Sequence, residues 1–349
     1  MKDLYDISWK VDEPTYRADQ ALSYSTLARY ERSGFNGLNT LFDEVTSPSL
    51  TFGSAVDAII TGGQKEFDER FLVAEFPQIP DTMENIVKDL FREFHITYHK
   101  LSDIPDVEII GRAANYNYQN NWKPETRAKV IKEKAEDYYA LLFLSEGKEL
   151  LDNETYLKVL ACVDALKSSE ATKWYFSDND IFDDSVKRYY QLKFKANLGG
   201  IDYRIMADLI VVDYKNKVIY PVDLKTSSHT EWDFPKSFLQ WNYQIQARLY
   251  YRVIKDVLSK DSLFKDFKIE DYRFIVINKE TLVPLVWKFD DTQNVGTLTF
   301  KTKSNNIITL RDPSDIGKEL YYYLNTAPVV PKGINLTGDN DLVAKLTDM

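Results

Sequence analysis

The sequence predicts an α+β protein, in which helices come before and between the strands of one sheet. Up to about residue 170 the apolar residues recur at helical spacing, and from Val186 to about residue 290 short runs rich in β-branched and aromatic residues replace them. Of the 349 residues, 44% are hydrophobic and 28% are charged, a composition typical of a globular protein. We therefore expect a sheet core behind a helical N-terminal region.

Five helices are predicted in the N-terminal half from their apolar spacing and from the residues that flank them. The first begins with serine and threonine capping residues, the second is rich in small residues, and the last carries a continuous apolar face. These helices are residues 22–33, 51–60, 81–103, 125–147 and 153–168.

The second half of the chain predicts strands and one long helix. The expected elements are strands 189–194, 205–213 and 218–226, a turn at Gly199-Gly200, a polar loop at 214–217, a helix at about 235–258, and strands 271–277 and 283–289. No linker of distinct composition interrupts the chain, so we expect one domain. Its parts are a helical region at about 20–170, a core at about 186–290 and a C-terminal extension at about 300–349.

Composition excludes several classes of protein. No run approaches the roughly 18 consecutive apolar residues of a membrane helix, and the charged N-terminus lacks the apolar region of a secretory signal. Cys162 is the only cysteine, which excludes an internal disulfide and a cysteine-ligated zinc or iron–sulfur site. His95 and His99 could share a helical face, but three histidines leave little room for a zinc enzyme. We expect a cytoplasmic protein with no membrane partner.

The formal net charge of −10 counts weakly against a nucleic-acid partner, because binding to a phosphate backbone usually needs a positive surface. Net charge does not describe how charges are distributed, however, and a metal site concentrates acidic residues. Basic runs occur locally, at 129–134 and at Lys187-Arg188, although each is typical of a solvated surface.

Two aspartates and a lysine come together if residues 205–228 form a hairpin. With the turn centred between Lys215 and Asn216, Asp208 faces Asp223 across the ladder. Because side chains alternate along a strand, Asp223 and Lys225 share one face. Two opposed carboxylates repel each other, and a hard cation such as Mg²⁺ or Mn²⁺ would remove that repulsion. The simpler alternative is an ordinary amphipathic hairpin whose polar side faces water.

These residues resemble the PD-(D/E)xK nuclease superfamily, and more narrowly the RecE-like (exonuclease VIII) and RecB-type phage exonucleases. Pro221-Val222-Asp223-Leu224-Lys225 is similar to the core motif, and Asp208 stands where the family has its first hairpin aspartate. Downstream, residues 246–250 match the Q-x-x-x-Y helix of the RecB-like group, so Gln246 and Tyr250 share one helical face.

Two positions depart from the family pattern. Residues 52–57 resemble its G-x-x-x-H helix, but Asp57 replaces the metal-binding histidine. An aspartate oxygen still suits Mg²⁺ or Mn²⁺, although it cannot shuttle protons near neutral pH as an imidazole does. Gln191 occupies the strand position at which many relatives have glutamate. The predicted helix 22–33 resembles the S-x-S-x-L-x-x-Y start of these nucleases.

The resemblance implies a restriction-endonuclease-like fold, with an α/β/α core around a central mixed sheet, and a metal-dependent deoxyribonuclease. It implies digestion of double-stranded DNA from an end in phage-type recombination, a ring-shaped homo-oligomer and a RecT-like single-strand annealing partner. The cell would be bacterial or phage-infected. The implied roles are metal binding by Asp208, Asp223, the carbonyl of Leu224 and Asp57; catalysis by Lys225 with Asp208 and Asp223; and DNA contact or site support by Gln246, Tyr250 and Gln191.

Other functions stay open. The departures at Asp57 and Gln191 also suit a non-catalytic nucleic-acid-binding protein on the same scaffold. The acidic charge and the 23 tyrosines suit an assembly protein. A structure-specific endonuclease or a repair nuclease is a further alternative. We expect Trp232, Trp241 and Tyr243 to be core residues rather than surfaces on which bases stack.

Overall fold

Helices dominate the first half of the chain and longer strands the second, as the apolar spacing predicts. The computed structural model describes residues 3–43, 47–145, 147–180, 183–302 and 305–325. Its helices are α1 (Glu13–Ala18), α2 (Tyr24–Ser33), α3 (Pro48–Arg70), α4 (Asp81–Phe94), α5 (Asp106–Asn115), α6 (Pro124–Leu144), α7 (Asn153–Ser168), α8 (Lys173–Phe176), α9 (Phe234–Gln240), α10 (Tyr243–Ser259) and α11 (Pro313–Asn325). Its strands are β1 (Phe71–Val73), β2 (Glu149–Leu151), β3 (Val186–Leu198), β4 (Ile201–Asp213), β5 (Val218–Ser227), β6 (Lys268–Ile269), β7 (Arg273–Asn278), β8 (Pro284–Lys288), β9 (Leu298–Lys301) and β10 (Ile307–Leu310). In the part of the chain so described, no helix is both long and apolar enough to cross a bilayer.

These elements form two compact units, one inserted in the sequence of the other. Unit 1 takes the residues before position 47 and those from Leu166 onward, and unit 2 is Ser47–Ala165. We expected a single domain. The second boundary falls inside α7, whose composition is that of an ordinary amphipathic helix, so no linker signal marks it.

Unit 2 is mainly helical and has its own apolar core. Side chains of α4, α5 and α6 fill it, among them the fully buried Met83, Ile109 and Ile131. Strand β1 precedes α4 and strand β2 follows α6, and the two strands pair in parallel. Helix α3 carries Asp57 and bends at Gly63, where φ is 69°.

A mixed six-stranded sheet forms the centre of unit 1. Strands β3, β4 and β5 pair antiparallel, β5 pairs in parallel with β6 and β7, and β8 is antiparallel to β7. Helices α2, α10 and α11 share one apolar core with this sheet. The predicted α+β class, with a central mixed sheet flanked by helices, is therefore confirmed.

Several predicted boundaries are correct and others are wrong. Helix α7 matches the predicted helix 153–168, and β4 and β5 meet at the predicted loop 214–217. The predicted helix 81–103 ends at Phe94. The predicted helix 235–258 is two helices, because Asn242 takes a left-handed backbone (φ 56°) between α9 and α10. The expected C-terminal extension contains β10 and α11, and its residues 326–349 lie outside the described part.

Along both β3 and β4 the residues that face the core switch between odd and even residue numbers. This phase change occurs at the same ladder position in both strands. Simple alternation would keep one parity along each strand. The buried residues of β4 in the core shared with α10 are Ile201, Tyr203, Ile205, Ala207, Ile210 and Val212, and those of β3 are Tyr189, Leu192, Phe194 and Ala196.

Gln191 lies at this phase change. The register of β3 with β4 is the same on both sides of it, which places Gln191 opposite Asp208. Its backbone is left-handed, with φ at 50°, a conformation that costs a non-glycine residue about 1–2 kcal/mol. The phase change therefore rests on a strained residue rather than on an inserted one.

A comparison of alanine and glycine at position 191 tests this strain. We expect Gln191→Gly to be more stable than Gln191→Ala by about 1 kcal/mol, because glycine adopts positive φ freely. Lys195 lies on the same strand in ordinary extended backbone, so there the order should reverse, with Lys195→Ala more stable than Lys195→Gly. Urea unfolding of the four variants measures both differences. The same order at both positions would contradict a strained Gln191.

An ion pair joins α10 to the start of α11. Arg252 places two guanidinium nitrogens 2.5 and 2.6 Å from the oxygens of Asp312, which is 2% exposed. The backbone N–H groups of Gly296 and Ser314 also donate to this carboxylate. Burial alone would raise the pKa of Asp312, but the bonds from Arg252 and the two N–H groups outweigh it and hold that pKa well below its usual range.

Replacing this carboxylate should destabilise the fold in a pH-dependent way. We expect Asp312→Asn to lower the free energy of unfolding by about 3 kcal/mol at pH 7, because Arg252 loses its buried partner. A carboxyl whose pKa is lower in the folded protein than in the unfolded chain stabilises the fold at pH values above its unfolded pKa of about 3.9. That stabilisation is lost as the pH falls toward the folded pKa. The gap between parent and variant should therefore narrow below about pH 4.

Urea unfolding at pH 7, 5 and 3 measures this gap. Asp315→Asn, in the exposed first turn of α11, is the matched control and should change little. A gap of constant size from pH 7 to pH 3 would show that the ionised state of Asp312 does not contribute.

Candidate functional site

The predicted hairpin forms with the predicted register, and it opens at the two aspartates. Its ladder runs from Asp213 opposite Val218 to Leu209 opposite Val222. The next pair in this register would be Asp208 and Asp223, but the ladder stops one step before them. Strand β5 continues past this point along β7, which pairs with its other edge and places Asp223 beside Phe274. The two carboxylates therefore stand where β4 and β5 part.

Asp223 is buried between two polar partners. It is 1% exposed, and the amide nitrogen of Gln246 donates a short hydrogen bond to its Oδ1. Lys225 Nζ lies 2.7 Å from its Oδ2 and forms an ion pair with it, while Oδ2 accepts no hydrogen bond from the described residues. The Q-x-x-x-Y helix thus contacts the motif aspartate directly.

Asp208 is attached to the same strand by the backbone. Its carboxylate accepts a hydrogen bond of 3.0 Å from the N–H of Leu224. In extended backbone the N–H and C=O of one residue point to the same edge of the strand. The carbonyls of Ile219 and Ser227, at odd positions, accept bonds at the opposite edge. The Leu224 carbonyl therefore points toward the edge at which Asp208 lies.

Lys225 is held between charge and an aromatic ring. Its ammonium lies 4.9 Å from the ring centre of Tyr243, and 24% of the side chain is exposed. Burial lowers the pKa of this ammonium, but the attraction of Asp223, with smaller effects of Tyr243 and Asp208, raises it well above the usual value. The lysine is a fixed positive charge beside the two carboxylates.

Phenol groups surround the carboxylates, and the sequence identified only Tyr250 among them. Burial raises the pKa of Tyr250 and of Tyr272 well above the usual value, and Asp208 and Asp223 add to the effect. The two rings meet edge to face at 5.8 Å. Burial also raises the pKa of Tyr24, close to Lys225 and Asp223. These hydroxyls stay protonated and can donate hydrogen bonds.

Weak signals mark some of the missed residues. Tyr24 lies inside the S-x-S-x-L-x-x-Y pattern, and Tyr243 is three residues before Gln246 on the same helix face. Tyr272 precedes β7 and carries no signal of its own. Its hydroxyl is buried and has no hydrogen-bond partner among the described residues.

The oxygen atoms at this opening fit a hard divalent cation. Asp208, Asp223 and the Leu224 carbonyl are all oxygen donors, and Mg²⁺ typically uses one or two carboxylates and keeps several waters. In the described ranges, no cluster of three or more His, Cys, Asp or Glu side chains is placed to hold a metal. Carboxylate, carbonyl and water oxygens are the ligands that Mg²⁺ and Mn²⁺ prefer, whereas structural zinc sites use sulfur and nitrogen ligands.

Asp57 is the remaining predicted metal ligand. Asp57 belongs to α3 of unit 2, whereas the cluster around Asp223 consists of unit 1 residues. His95 follows the last residue of α4, so the helix ends before His99 and the two do not share a helical face. Gln191 lies opposite Asp208 across the β3–β4 pair.

Two of the three aromatic residues expected in the core are exposed. Trp232 is 83% exposed and Trp241 is 44% exposed, so the prediction is wrong for both. Tyr243 packs on Phe234 and Phe274, as expected. The tryptophans flank helix α9, whose position the sequence did not reveal because it predicted one unbroken helix.

No family model matches the chain, and no curated protein matches it. Among solved structures, the chain is similar to a protein from Eubacterium rectale that bears a provisional exonuclease name. The two are 13% identical with a TM-score of 0.41, over 92% of this chain and 85% of that one.

Proposed function

We propose that this chain is a divalent-metal-dependent deoxyribonuclease of the PD-(D/E)xK type, and that it digests double-stranded DNA from an end. The observation that carries the proposal is the arrangement of Asp223, bound by Lys225 and Gln246, beside Asp208 at the point where β4 and β5 part. In an ordinary amphipathic hairpin whose polar side faces water Asp223 would be exposed, whereas it is 1% exposed.

Each residue of the cluster has a role in such a reaction. Asp208, Asp223 and the Leu224 carbonyl would hold Mg²⁺ or Mn²⁺, which supplies a bound water of lowered pKa and a positive charge for the phosphate. Lys225 would stabilise the negative charge that develops on the phosphate during hydrolysis. Gln246 would position Asp223, and Tyr250 would support the site from the next turn of α10.

The finer features of the proposal come from the family resemblance. The protein would act in phage-type recombination in the cytoplasm of a bacterial or phage-infected cell. It would form a homo-oligomer and work with a RecT-like annealing partner. Asp57 would be an additional metal ligand and Gln191 a supporting residue. A chain of net negative charge can act on DNA if its DNA contacts are confined to the site, because the metal and Lys225 would then neutralise the DNA phosphates there.

Removing Lys225 should abolish digestion. We expect Lys225→Ala to lower the rate of hydrolysis of linear duplex DNA by at least about 100-fold with Mg²⁺ or Mn²⁺, because one charged donor at the reacting phosphate is lost. Lys255→Ala is the matched control, since Lys255 also lies over a tyrosine ring, that of Tyr251 in α10. Release of nucleotides measures the rate.

A closed circular duplex distinguishes digestion from an end from internal cleavage. An exonuclease leaves the circle intact while it degrades the linear form. Equal rates for Lys225→Ala and the parent, or no digestion by the parent with either metal, would refute the catalytic proposal.

The alternative is a non-catalytic nucleic-acid-binding or assembly protein on the same scaffold, favoured by the uncharged Gln191 beside Asp208. Calorimetric titration with Mn²⁺ separates the two functions. The nuclease predicts binding that Asp208→Asn or Asp223→Asn weakens, while Asp213→Asn, at the other end of the hairpin, leaves it unchanged. Affinity that is absent, or independent of Asp208 and Asp223, would favour the alternative.

A further inference from the structure

Trp241 is an exposed aromatic residue on a fixed backbone. It lies between α9 and α10, and its carbonyl accepts a hydrogen bond of 2.8 Å from the hydroxyl of Tyr24. Its N–H donates to the carbonyl of Ser237 at 2.9 Å. The guanidinium of Arg32 lies 5.2 Å from the centre of the indole, and 44% of Trp241 is exposed. The ring is therefore backed by a cation and open to solvent.

The same contacts place the backbone of Trp241 next to the proposed catalytic cluster. Tyr243 comes two residues after Trp241, and the ammonium of Lys225 lies over its ring. Two residues of chain span at most about 7 Å, which equals about two base steps of 3.4 Å along one strand. Tyr24, which binds the Trp241 carbonyl, also packs on Tyr243 with ring centres 6.3 Å apart.

We propose that Trp241, backed by Arg32, stacks on an unpaired base of the strand whose phosphate lies at Asp208 and Asp223. This inference rests on the proposed function and adds the form of the substrate, a single-stranded or frayed end. An indole stacks on any base, and a neighbouring guanidinium adds a cation–π contribution. Stacking also suits a chain of net charge −10, because it does not require a positive surface.

Binding of labelled oligonucleotides in EDTA tests the platform without cleavage. For a fluorescent single-stranded oligo-dT, we expect Trp241→Ala to weaken binding by about tenfold or more, and Trp241→Phe to retain much of it. The loss for a blunt hairpin duplex should be smaller. The slope of affinity against salt should not change, because no phosphate contact is removed.

Trp174→Ala is the matched control. Trp174 is 39% exposed and lies 5.9 Å from the guanidinium of Arg188. It packs on Tyr220, which points to the face of β5 opposite to that of Asp223 and Lys225. Its replacement should leave binding of both oligonucleotides within about twofold of the parent.

The outcomes separate this proposal from the nuclease proposal. If Trp241→Ala binds single strands as the parent does, or loses duplex and single strand equally, the platform is refuted even where the parent digests DNA. If binding depends on Trp241 but the parent digests no DNA, the platform stands and the nuclease proposal fails. Unfolding midpoints equal to that of the parent establish that the variants are folded.

Discussion

The site depends on one carboxylate that has been withdrawn from water. An ionised aspartate as buried as Asp223 would cost several kcal/mol if it stood alone. Lys225 offsets that cost from the same strand, and Gln246 offsets it from α10. Because both oxygens of Asp223 already have a partner, its position is fixed before a ligand arrives, which is what a preorganised site requires.

Helix α10 connects this site to the core. Tyr243, Gln246 and Tyr250 recur at intervals of three and four residues, so they lie on the helix face that covers the sheet. The same helix contributes buried apolar residues to the unit 1 core and Arg252 to the ion pair with Asp312. Packing of α10 therefore sets both the stability of unit 1 and the geometry around Asp223.

The residues of the hairpin could be predicted because two local rules agree. The loop fixes which residues oppose each other, and the period of two fixes which side chains share a face. Gln246 and Tyr250 could be predicted from helical spacing in the same way. The opening at Asp208 could not, because it arises where β4 stops pairing with β5 while β5 goes on pairing along its other edge with β7, whose residues are about 50 positions away.

Backbone conformations were the other feature beyond sequence reasoning. Glutamine has no preference for positive φ, so nothing at Gln191 indicates the phase change that accompanies it. Asparagine adopts that region more readily, and Asn242 is thus a weak sign that the helix is broken there. If the break at Asn242 is missed, Trp241 is predicted to lie within a continuous helix, and its exposure cannot be predicted.

The insertion of unit 2 within unit 1 has a consequence for the order of folding during synthesis. The segment that contributes Tyr24 leaves the ribosome first, and all of Ser47–Ala165 follows before the strands that carry the two aspartates. At about 5–20 residues per second, that delay lasts several seconds to tens of seconds. The nascent chain therefore carries α2 without a partner sheet, and the carboxylate cluster can form only after the inserted unit has been made.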